Sequence, residues 1–445
     1  MSFRPVFIAV AVGGSLIVAA LVVSGLRPKV EVQQPAAAFV RATGKCAECH
    51  RRETSAVVHQ FEGSRHVQVG VTCLDCHQPV EGQQTLAHRG FTIAKSLTAA
   101  NCRQCHANEY RQYLRSRHAA PAWAAVHGPG DFTAEQIEFA EKFHPLAVKR
   151  GAHLLVGMEG PAAVTKGCSM CHDVGKPNAD GSIGTCTACH ARHAASVELA
   201  RQPETCGQCH LGPDHSQIEI YHESKHGVIF NAQKRYFNLR ADPRKLTTAD
   251  MPVPTCATCH MSGLEGMNLT HDTSERLSYY LFKTISDRRP NAQMGEIAMK
   301  QICLKCHTEP RINQFYVDAS RVIDSTNGLV REATSIMDGL RRDGLITAQD
   351  LDEPIKYRYF DLWHYYARTA KHGAFMGGAD FVQWHGYYEI VSRLVEIKRA
   401  AAELRERHAR GPHEPAKPEP KPSEPMRPQG ESHAAKPSPA ADKGR

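Results

Sequence analysis

The sequence predicts a mainly α-helical fold, and two patterns support this prediction. A five-residue motif, Cys-x-x-Cys-His, occurs eight times between residues 46 and 307. After residue 310 the motif stops, and apolar residues recur every three or four positions, which is the spacing of an amphipathic helix. We therefore expect a motif-rich N-terminal and central region followed by long C-terminal helices.

The eight motifs use all 16 cysteines of the chain. Each motif can attach one c-type haem, because its two thiols bind the haem covalently and the adjacent histidine ligates the iron. The cysteines are Cys46, Cys49, Cys73, Cys76, Cys102, Cys105, Cys168, Cys171, Cys186, Cys189, Cys206, Cys209, Cys256, Cys259, Cys303 and Cys306. The motif histidines are His50, His77, His106, His172, His190, His210, His260 and His307. The sequence thus predicts eight covalently bound c-type haems and makes a mainly α multihaem cytochrome c the expected fold class.

Zinc binding and redox disulfides are the alternatives for a single Cys-x-x-Cys-His. A structural zinc site needs four ligands and does not require a histidine directly after every second cysteine. Eight copies with no cysteine left over therefore favour haem. Haem also changes the charge balance: the formal charge is +8, and eight haems with two propionates each contribute roughly −8. We expect the Lys and Arg excess to neutralise propionates and predict no nucleic-acid partner.

The motifs and composition divide the chain into four parts. Residues 1–29 contain an uncharged apolar run, Val6–Leu26, which is long enough to span a membrane and predicts an anchor or, alternatively, a cleaved signal. Residues 30–310 form the expected octahaem domain, and residues 311–410 the helical region packed on it. Residues 411–445 contain nine prolines and are expected to be disordered.

Three patterns define the helical region. Apolar residues from Ile312 to Ile323 recur at helical spacing. The segment Asp352-Glu353-Pro354 is typical of a helix start, because proline is tolerated in the first turn. A third periodic run extends from Tyr387 to Ile397 and ends in charged residues near Arg410.

The other histidines are candidates for the second axial ligand of each haem. The chain has 26 histidines, so 18 remain after the eight motif histidines. Several follow a Lys or Arg, which suits a position beside a propionate. The seven candidates are His66, His88, His118, His193, His226, His271 and His372. Seven second ligands for eight haems predict one five-coordinate haem, which would bind substrate. Spare histidines, among them His153, His364 and His385, leave open a conduit in which every haem is six-coordinate.

The chain resembles the octahaem hydroxylamine oxidoreductase family over most of residues 40–400. The resemblance rests on the eight motifs in order and on Cys186–His193, Gly212-Pro-Asp-His215, Glu223-Ser-Lys-His226, Cys256–Gly263, Thr270-His-Asp272 and Trp384-His-Gly386.

This resemblance implies that the fourth motif, Cys168–His172, binds the catalytic haem. It further implies that Asp214 and His215 handle protons on the distal side of that haem, and that a distal tyrosine is Tyr279 or Tyr280. By the same resemblance we expect a homotrimer.

The chain differs from the oxidising members of the family at one position. Those members link a tyrosine of a neighbouring subunit covalently to the catalytic haem, and the corresponding residue here is Phe381, which has no phenol oxygen. Members without that tyrosine resemble reductases. The pentahaem nitrite reductases use a lysine as the proximal ligand of their catalytic haem, whereas all eight motifs here end in histidine.

The sequence therefore predicts an enzyme that reduces nitrite and/or hydroxylamine to ammonia at the haem of His172. Its expected electron donor is a quinol-oxidising cytochrome c at the periplasmic side of a bacterial cytoplasmic membrane. Oxidation of hydroxylamine or hydrazine and a non-catalytic electron conduit remain the alternatives.

Overall fold

The computed structural model describes residues 39–410, in which nearly all regular structure is helical. Twenty-one α-helices follow one another in chain order. They are α1 (Lys45–Glu53), α2 (Ser55–Glu62), α3 (Arg65–Gln68), α4 (Cys73–His77), α5 (Ala99–Arg103), α6 (Ala107–Leu114), α7 (Ala120–His127), α8 (Ala134–Phe143), α9 (Leu154–Lys166), α10 (Cys168–His172), α11 (Val197–Arg201), α12 (Pro203–Gly207), α13 (Gln217–Glu223), α14 (Lys225–Gln233), α15 (Cys256–His260), α16 (Ala292–Cys303), α17 (Glu309–Arg342), α18 (Pro354–Phe360), α19 (Ala367–Met376), α20 (Ala379–Val382) and α21 (Glu389–Arg410). Short 3₁₀ turns lie at Asp173–Gly175, Cys186–Ala188, Lys234–Tyr236 and Leu264–Gly266.

A single β-hairpin interrupts the helices of the described part. Strands β1 (Thr85–His88) and β2 (Phe91–Ala94) pair antiparallel, with Thr85 opposite Ala94. The two-residue turn consists of Arg89 and Gly90, which both have positive φ, as a hairpin turn that matches the strand twist requires. The hairpin places His88 at the end of β1.

The C-terminal helices form a packed core of their own. The long helix α17 packs against α19 and α21, and α18 also packs against α21. Their facing sides bury a cluster that includes Met337, Leu340, Leu362, Ile390 and Ile397. Burial of such a side chain stabilises the fold by about 1.5–3 kcal/mol each. Helix α19 also contacts α13, so this bundle is joined to the motif-rich region.

Two π-helical segments lie within the C-terminal helices. Asp361–Tyr366 connects α18 to α19, and Gln383–Tyr388 connects α20 to α21. A π-segment inserts extra residues into a helical turn and is often found at functional sites. His364 of the first segment is buried and borders a large cavity in the motif-rich region.

The observed fold confirms the mainly helical prediction and the long C-terminal helices. Helix α17 contains the run from Ile312 to Ile323, α18 begins at Pro354, and α21 ends at Arg410. The predicted N-terminal anchor and the proline-rich tail lie outside residues 39–410. Within that range, none of the helices combines the length and the apolarity that a bilayer crossing requires.

Candidate functional site

Several Cys-x-x-Cys-His motifs form single helical turns, which brings their three reactive side chains together. Helices α4, α10 and α15 each begin at the first cysteine of a motif and end at its histidine. Residues three and four positions apart lie on the same side of a helix, so two thiols and one imidazole face the same space. In α4, Thr72 and Asp75 form a capping box that stabilises the first turn.

Six motif histidines face a second histidine ring across a gap. The ring centroids lie 5.8–6.5 Å apart. An imidazole nitrogen lies about 2.0 Å from a bound metal, so two rings on opposite sides of one iron have centroids about 6 Å apart. The pairs are His50–His88, His106–His66, His77–His193, His210–His118, His190–His271 and His307–His226. The spacing fits bis-histidine haem iron, although ligation itself stays a prediction.

One continuous cavity passes through the motif-rich region. Its volume is about 4270 Å³, whereas an ordinary ligand pocket has roughly 300–1,000 Å³. All eight motif histidines line it, as do the motif cysteines other than Cys49 and Cys306. A space of this size, bordered by paired thiols and facing imidazoles, fits several haems that touch one another.

Neighbouring motifs are close enough for their thiols to touch. Contacts join Cys102 to Cys186, Cys171 to Cys209 and Cys206 to Cys256. The fourth motif is therefore adjacent to the sixth, and the sixth to the seventh. Haems attached there would be neighbours, as electron transfer between them requires.

Two motif histidines differ from the other six. Within residues 39–410, neither His172 nor His260 has a histidine ring facing it at the 6 Å spacing. The Nδ1 of His172 donates a hydrogen bond to the Ala122 carbonyl at 2.6 Å. This bond fixes the tautomer and leaves Nε2 free for iron.

The seventh predicted second ligand, His372, is not brought opposite a motif histidine at this spacing. Its ring packs against Phe282 at 4.7 Å. Its Nδ1 is buried and has no hydrogen-bond partner within residues 39–410.

The predicted pair Asp214 and His215 lies near His172 and is directly bonded. Asp214 Oδ2 accepts from His215 Nδ1 at 2.7 Å. The charges of both residues act on the pKa of His172, which burial lowers below its ordinary value. His215 also lies beside Phe282, with ring centroids 5.0 Å apart.

Two further residues, His364 and Arg368, complete the surroundings of Asp214. Its Oδ2 lies 3.6 Å from Arg368 Nη1 and 4.0 Å from His364 Nε2. Arg368 Nη1 in turn donates to His364 Nε2 at 2.9 Å. From the sequence, His364 is one of the spare histidines, and Arg368 was not predicted as a site residue. Their spacing of four residues places both on one side of a helix, but that alone does not show that this side faces Asp214.

The electrostatics keep Asp214 ionised and His364 neutral. Burial raises the pKa of the Asp214 carboxyl, but the hydrogen bond from His215 and the positive charge of Arg368 help to outweigh it and lower the pKa below its usual value. Burial, reinforced by Arg368, lowers the pKa of His364 to about 3. Asp214 can therefore hold His215 with Nδ1 protonated.

The two candidate distal tyrosines have different surroundings. The Tyr279 hydroxyl lies 3.3 Å from Ser320 Oγ on α17. The Tyr280 hydroxyl is buried and has no partner within residues 39–410, and the cation of Arg289 lies 4.9 Å from its ring centroid. The two hydroxyls thus differ in that only the one of Tyr279 has a partner within residues 39–410.

Phe381, which the resemblance predicts at the cross-linking position, is buried in its own chain. Only 7% of its surface is exposed, and its ring lies 5.0 Å from that of His385. His385 is paired with Asp380 at 3.0 Å.

The facing histidines, the motif thiols and the shared cavity define a haem protein of the multihaem c-type class. A family model described as "Seven times multi-haem cytochrome CxxCH" matches residues 69–354. The chain belongs to this multihaem cytochrome family. The matched range contains seven of the eight motifs, all except the one at Cys46.

Individual relatives support the same class. The chain is 26% identical over 235 residues to the "Probable nitrite reductase-hydroxylamine oxidoreductase fusion protein" of Kuenenia stuttgartiensis; the match covers 49% of this chain and 25% of the relative. The chain thus spans about a quarter of that relative's length.

Two solved structures share the fold. A "Hypothetical multiheme protein" matches with a TM-score of 0.71 and 22% identity, over 86% of this chain and all of its own. The "reducing HAO-like protein complex" of Kuenenia stuttgartiensis matches with a TM-score of 0.61 and 22% identity, over 81% of this chain and 85% of its own.

Proposed function

We propose that this multihaem cytochrome reduces nitrite and/or hydroxylamine to ammonia at the haem of the fourth motif. One observation supports this choice of haem above all: His172 has no facing histidine ring but has the bonded Asp214–His215 pair nearby. The printed names of the Kuenenia relatives, which include nitrite reductase and a reducing HAO-like complex, agree with redox chemistry on inorganic nitrogen.

The proposed roles follow from the contacts. Haem iron held by His172 would supply the substrate-binding position and the electrons. Asp214 accepts the hydrogen bond from His215 Nδ1 and so orients the ring with Nε2 toward the cavity. From there His215 delivers protons to substrate oxygen, which needs them as N–O bonds break.

We further propose eight haems, of which seven have two histidine ligands. Six have the facing pairs, and His372 is proposed as the seventh second ligand. The contacts between the fourth, sixth and seventh motifs provide a route for electrons toward His172.

The proposed direction is reduction, and it rests on Phe381. A phenylalanine cannot form the tyrosine ether of the oxidising members, so the haem keeps only its two cysteine links. Denatured protein should migrate as a single chain, and the reduced protein should lack the long-wavelength band of a cross-linked haem.

Steady-state assays in both directions test the proposal. We expect the holoprotein, given a reductant, to convert nitrite or hydroxylamine to ammonia, with slow hydroxylamine oxidation when an electron acceptor is supplied instead. Fast oxidation with negligible reduction would establish the opposite direction. A holoprotein with no turnover in either direction would favour an electron conduit.

The proposed location is the periplasmic side of the cytoplasmic membrane, with residues 1–29 as anchor and a quinol-oxidising cytochrome c as donor. Detergent-dependent release of the full-length chain from membranes would agree with this. A mature chain that begins after residue 26 would show that the segment is a cleaved signal.

A further inference from the structure

Arg368 is held rigidly beside the proposed active site. Its side chain is only 10% exposed, its Nε donates to the Phe282 carbonyl at 3.1 Å, and its Nη1 donates to His364 Nε2. The guanidinium carbon lies 5.2 Å from the ring centroid of Trp363 and 5.4 Å from that of Phe282. The guanidinium is therefore fixed by two hydrogen bonds and two aromatic rings.

Part of this guanidinium has no protein partner. A guanidinium has five N–H donors, but within residues 39–410 the Nη2 group of Arg368 donates no hydrogen bond, and it is not enclosed by protein atoms. Arg368 lines the central cavity together with Asp214 and His215. The free donors are thus available to a molecule in that cavity.

Protein groups neutralise the positive charge of Arg368 only in part. The nearest carboxylate, Asp214, lies at 3.6 Å from Nη1, which is longer than a hydrogen bond, and is already bonded to His215 at 2.7 Å. Burial lowers the pKa of Arg368 to about 10, so it stays protonated at neutral pH. A buried cation that shares its one close carboxylate with His215 favours an additional anionic ligand.

We propose that Arg368 binds an oxygen of an anionic substrate and makes the site selective for an oxyanion such as nitrite over neutral ligands. This inference rests on the proposed function, and it assigns the substrate class. Guanidinium suits the task because its flat fork of donors matches two oxygens on one atom. His215 and Arg368 approach the same oxygen of Asp214 and both line the cavity, so an anion bound there can receive donors from both residues.

A haem propionate is the other oxyanion that could use these donors. The two cases differ in what the loss of Arg368 changes. Loss of a substrate contact weakens anion binding and leaves the haems as they are, whereas loss of a propionate contact changes the reduction potential of one haem.

The test compares anionic and neutral ligands of the same haem. In the holoprotein, azide is titrated into the oxidised form and carbon monoxide into the reduced form, for wild type, Arg368→Lys and Arg368→Met. Arg321→Met, which removes an exposed cation from α17, serves as the charge control. KM values for nitrite and hydroxylamine, haem content and reduction potentials are measured alongside.

For Arg368→Met we expect the azide Kd and the nitrite KM to rise about 10- to 100-fold, the usual range for one hydrogen bond to a charged group. Carbon monoxide affinity and the hydroxylamine KM should change less than about threefold, since neither ligand is anionic. Arg368→Lys should be intermediate, and Arg321→Met should equal wild type.

Three results would overturn the inference. Equal weakening of azide and carbon monoxide would mean that Arg368 only maintains the shape of the site. An unchanged azide Kd with a shifted potential would identify a propionate partner. If Arg368→Met still reduces nitrite and its nitrite KM is unchanged, Arg368 does not bind the substrate, and the proposed function is unaffected. A different outcome is that the wild-type protein turns over no substrate but binds azide in a way that depends on Arg368. That result would refute the proposed function and keep the anion site.

Discussion

At the scale of single residues, the bond between Asp214 and His215 makes the sharpest prediction. Asp214→Asn keeps the size of the side chain but removes the charge that holds His215 Nδ1 protonated. We expect it, and His215→Asn, to lower kcat for nitrite or hydroxylamine reduction by about 10²–10⁴-fold, the usual contribution of a positioned proton donor. Haem absorbance should be unchanged in both variants. Turnover within about twofold of wild type in both would exclude proton delivery by this pair.

Another residue-scale prediction concerns pH and stability at Asp214. Its pKa is lowered in the folded protein, so the ionised carboxylate stabilises the fold at pH values above its ordinary pKa. That contribution is lost as the pH falls through the lowered value. As the pH falls below about 4, denaturant unfolding should therefore show that wild type loses more stability than Asp214→Asn. Parallel curves for the two proteins would contradict this account.

At the scale of elements, Asp180 joins three segments of the N-terminal half. Its Oδ2 accepts from Thr98 Oγ1, the cap of α5, at 2.6 Å and from Gln83 Nε2 at 2.9 Å. Its Oδ1 accepts from the Ser182 backbone amide at 2.9 Å. Burial raises the pKa of Asp180, but these hydrogen bonds outweigh it and lower the pKa, so the carboxylate is charged at neutral pH.

Asp180→Asn should therefore lower the free energy of unfolding by about 1–3 kcal/mol at pH 7. The difference from wild type should shrink as the pH falls below about 4, because the wild-type carboxylate is then protonated. Asp324→Asn, at an exposed position of α17, is the matched control and should have no measurable effect. An Asp180→Asn protein as stable as the control would show that the three segments are joined by other contacts.

At the scale of the whole molecule, the number of open haems is the central prediction. With six facing histidine pairs and His372 as the seventh second ligand, one haem per chain should bind carbon monoxide when reduced and show a high-spin signal when oxidised. Haem content should be eight per chain. Eight low-spin haems without added ligand would make the protein a conduit.

Assembly is the second prediction at this scale. Trp384 and Tyr388 of the second π-segment and Val391 and Val395 of α21 recur at helical spacing and are each 47–60% exposed. An apolar stripe of this kind marks an interaction surface, and we propose that it lies between subunits of a homotrimer. Val391→Glu with Val395→Glu should dissociate the oligomer in light scattering, whereas Val317→Glu, an equally exposed valine of α17, should not. A wild-type monomer, or an unchanged mass in the double variant, would refute this.

The sequence by itself determined the haem-binding motifs and the periodic helices. Both are local: the two thiols and the histidine of a motif lie within five residues, and the apolar positions of α17 and α21 repeat every three or four residues. The start of α18 at Pro354 was predictable for the same reason. The hairpin that holds His88 was not predicted, because its four-residue strands are too short for a clear alternating pattern.

Only the tertiary structure decided which distant side chains meet. Asp214 and Arg368 are 154 residues apart, and they come together because α19, which follows a π-segment, packs against α13. Periodicity cannot reveal such a segment, since it breaks the 3.6-residue repeat only locally. The structure also distinguishes Tyr280 from Tyr279, since only the Tyr280 hydroxyl lacks a partner within residues 39–410. The sequence thus determined where haem can attach, because covalent attachment depends on neighbouring residues, while the surroundings of His172 and Asp214 depended on packing between helices far apart in the chain.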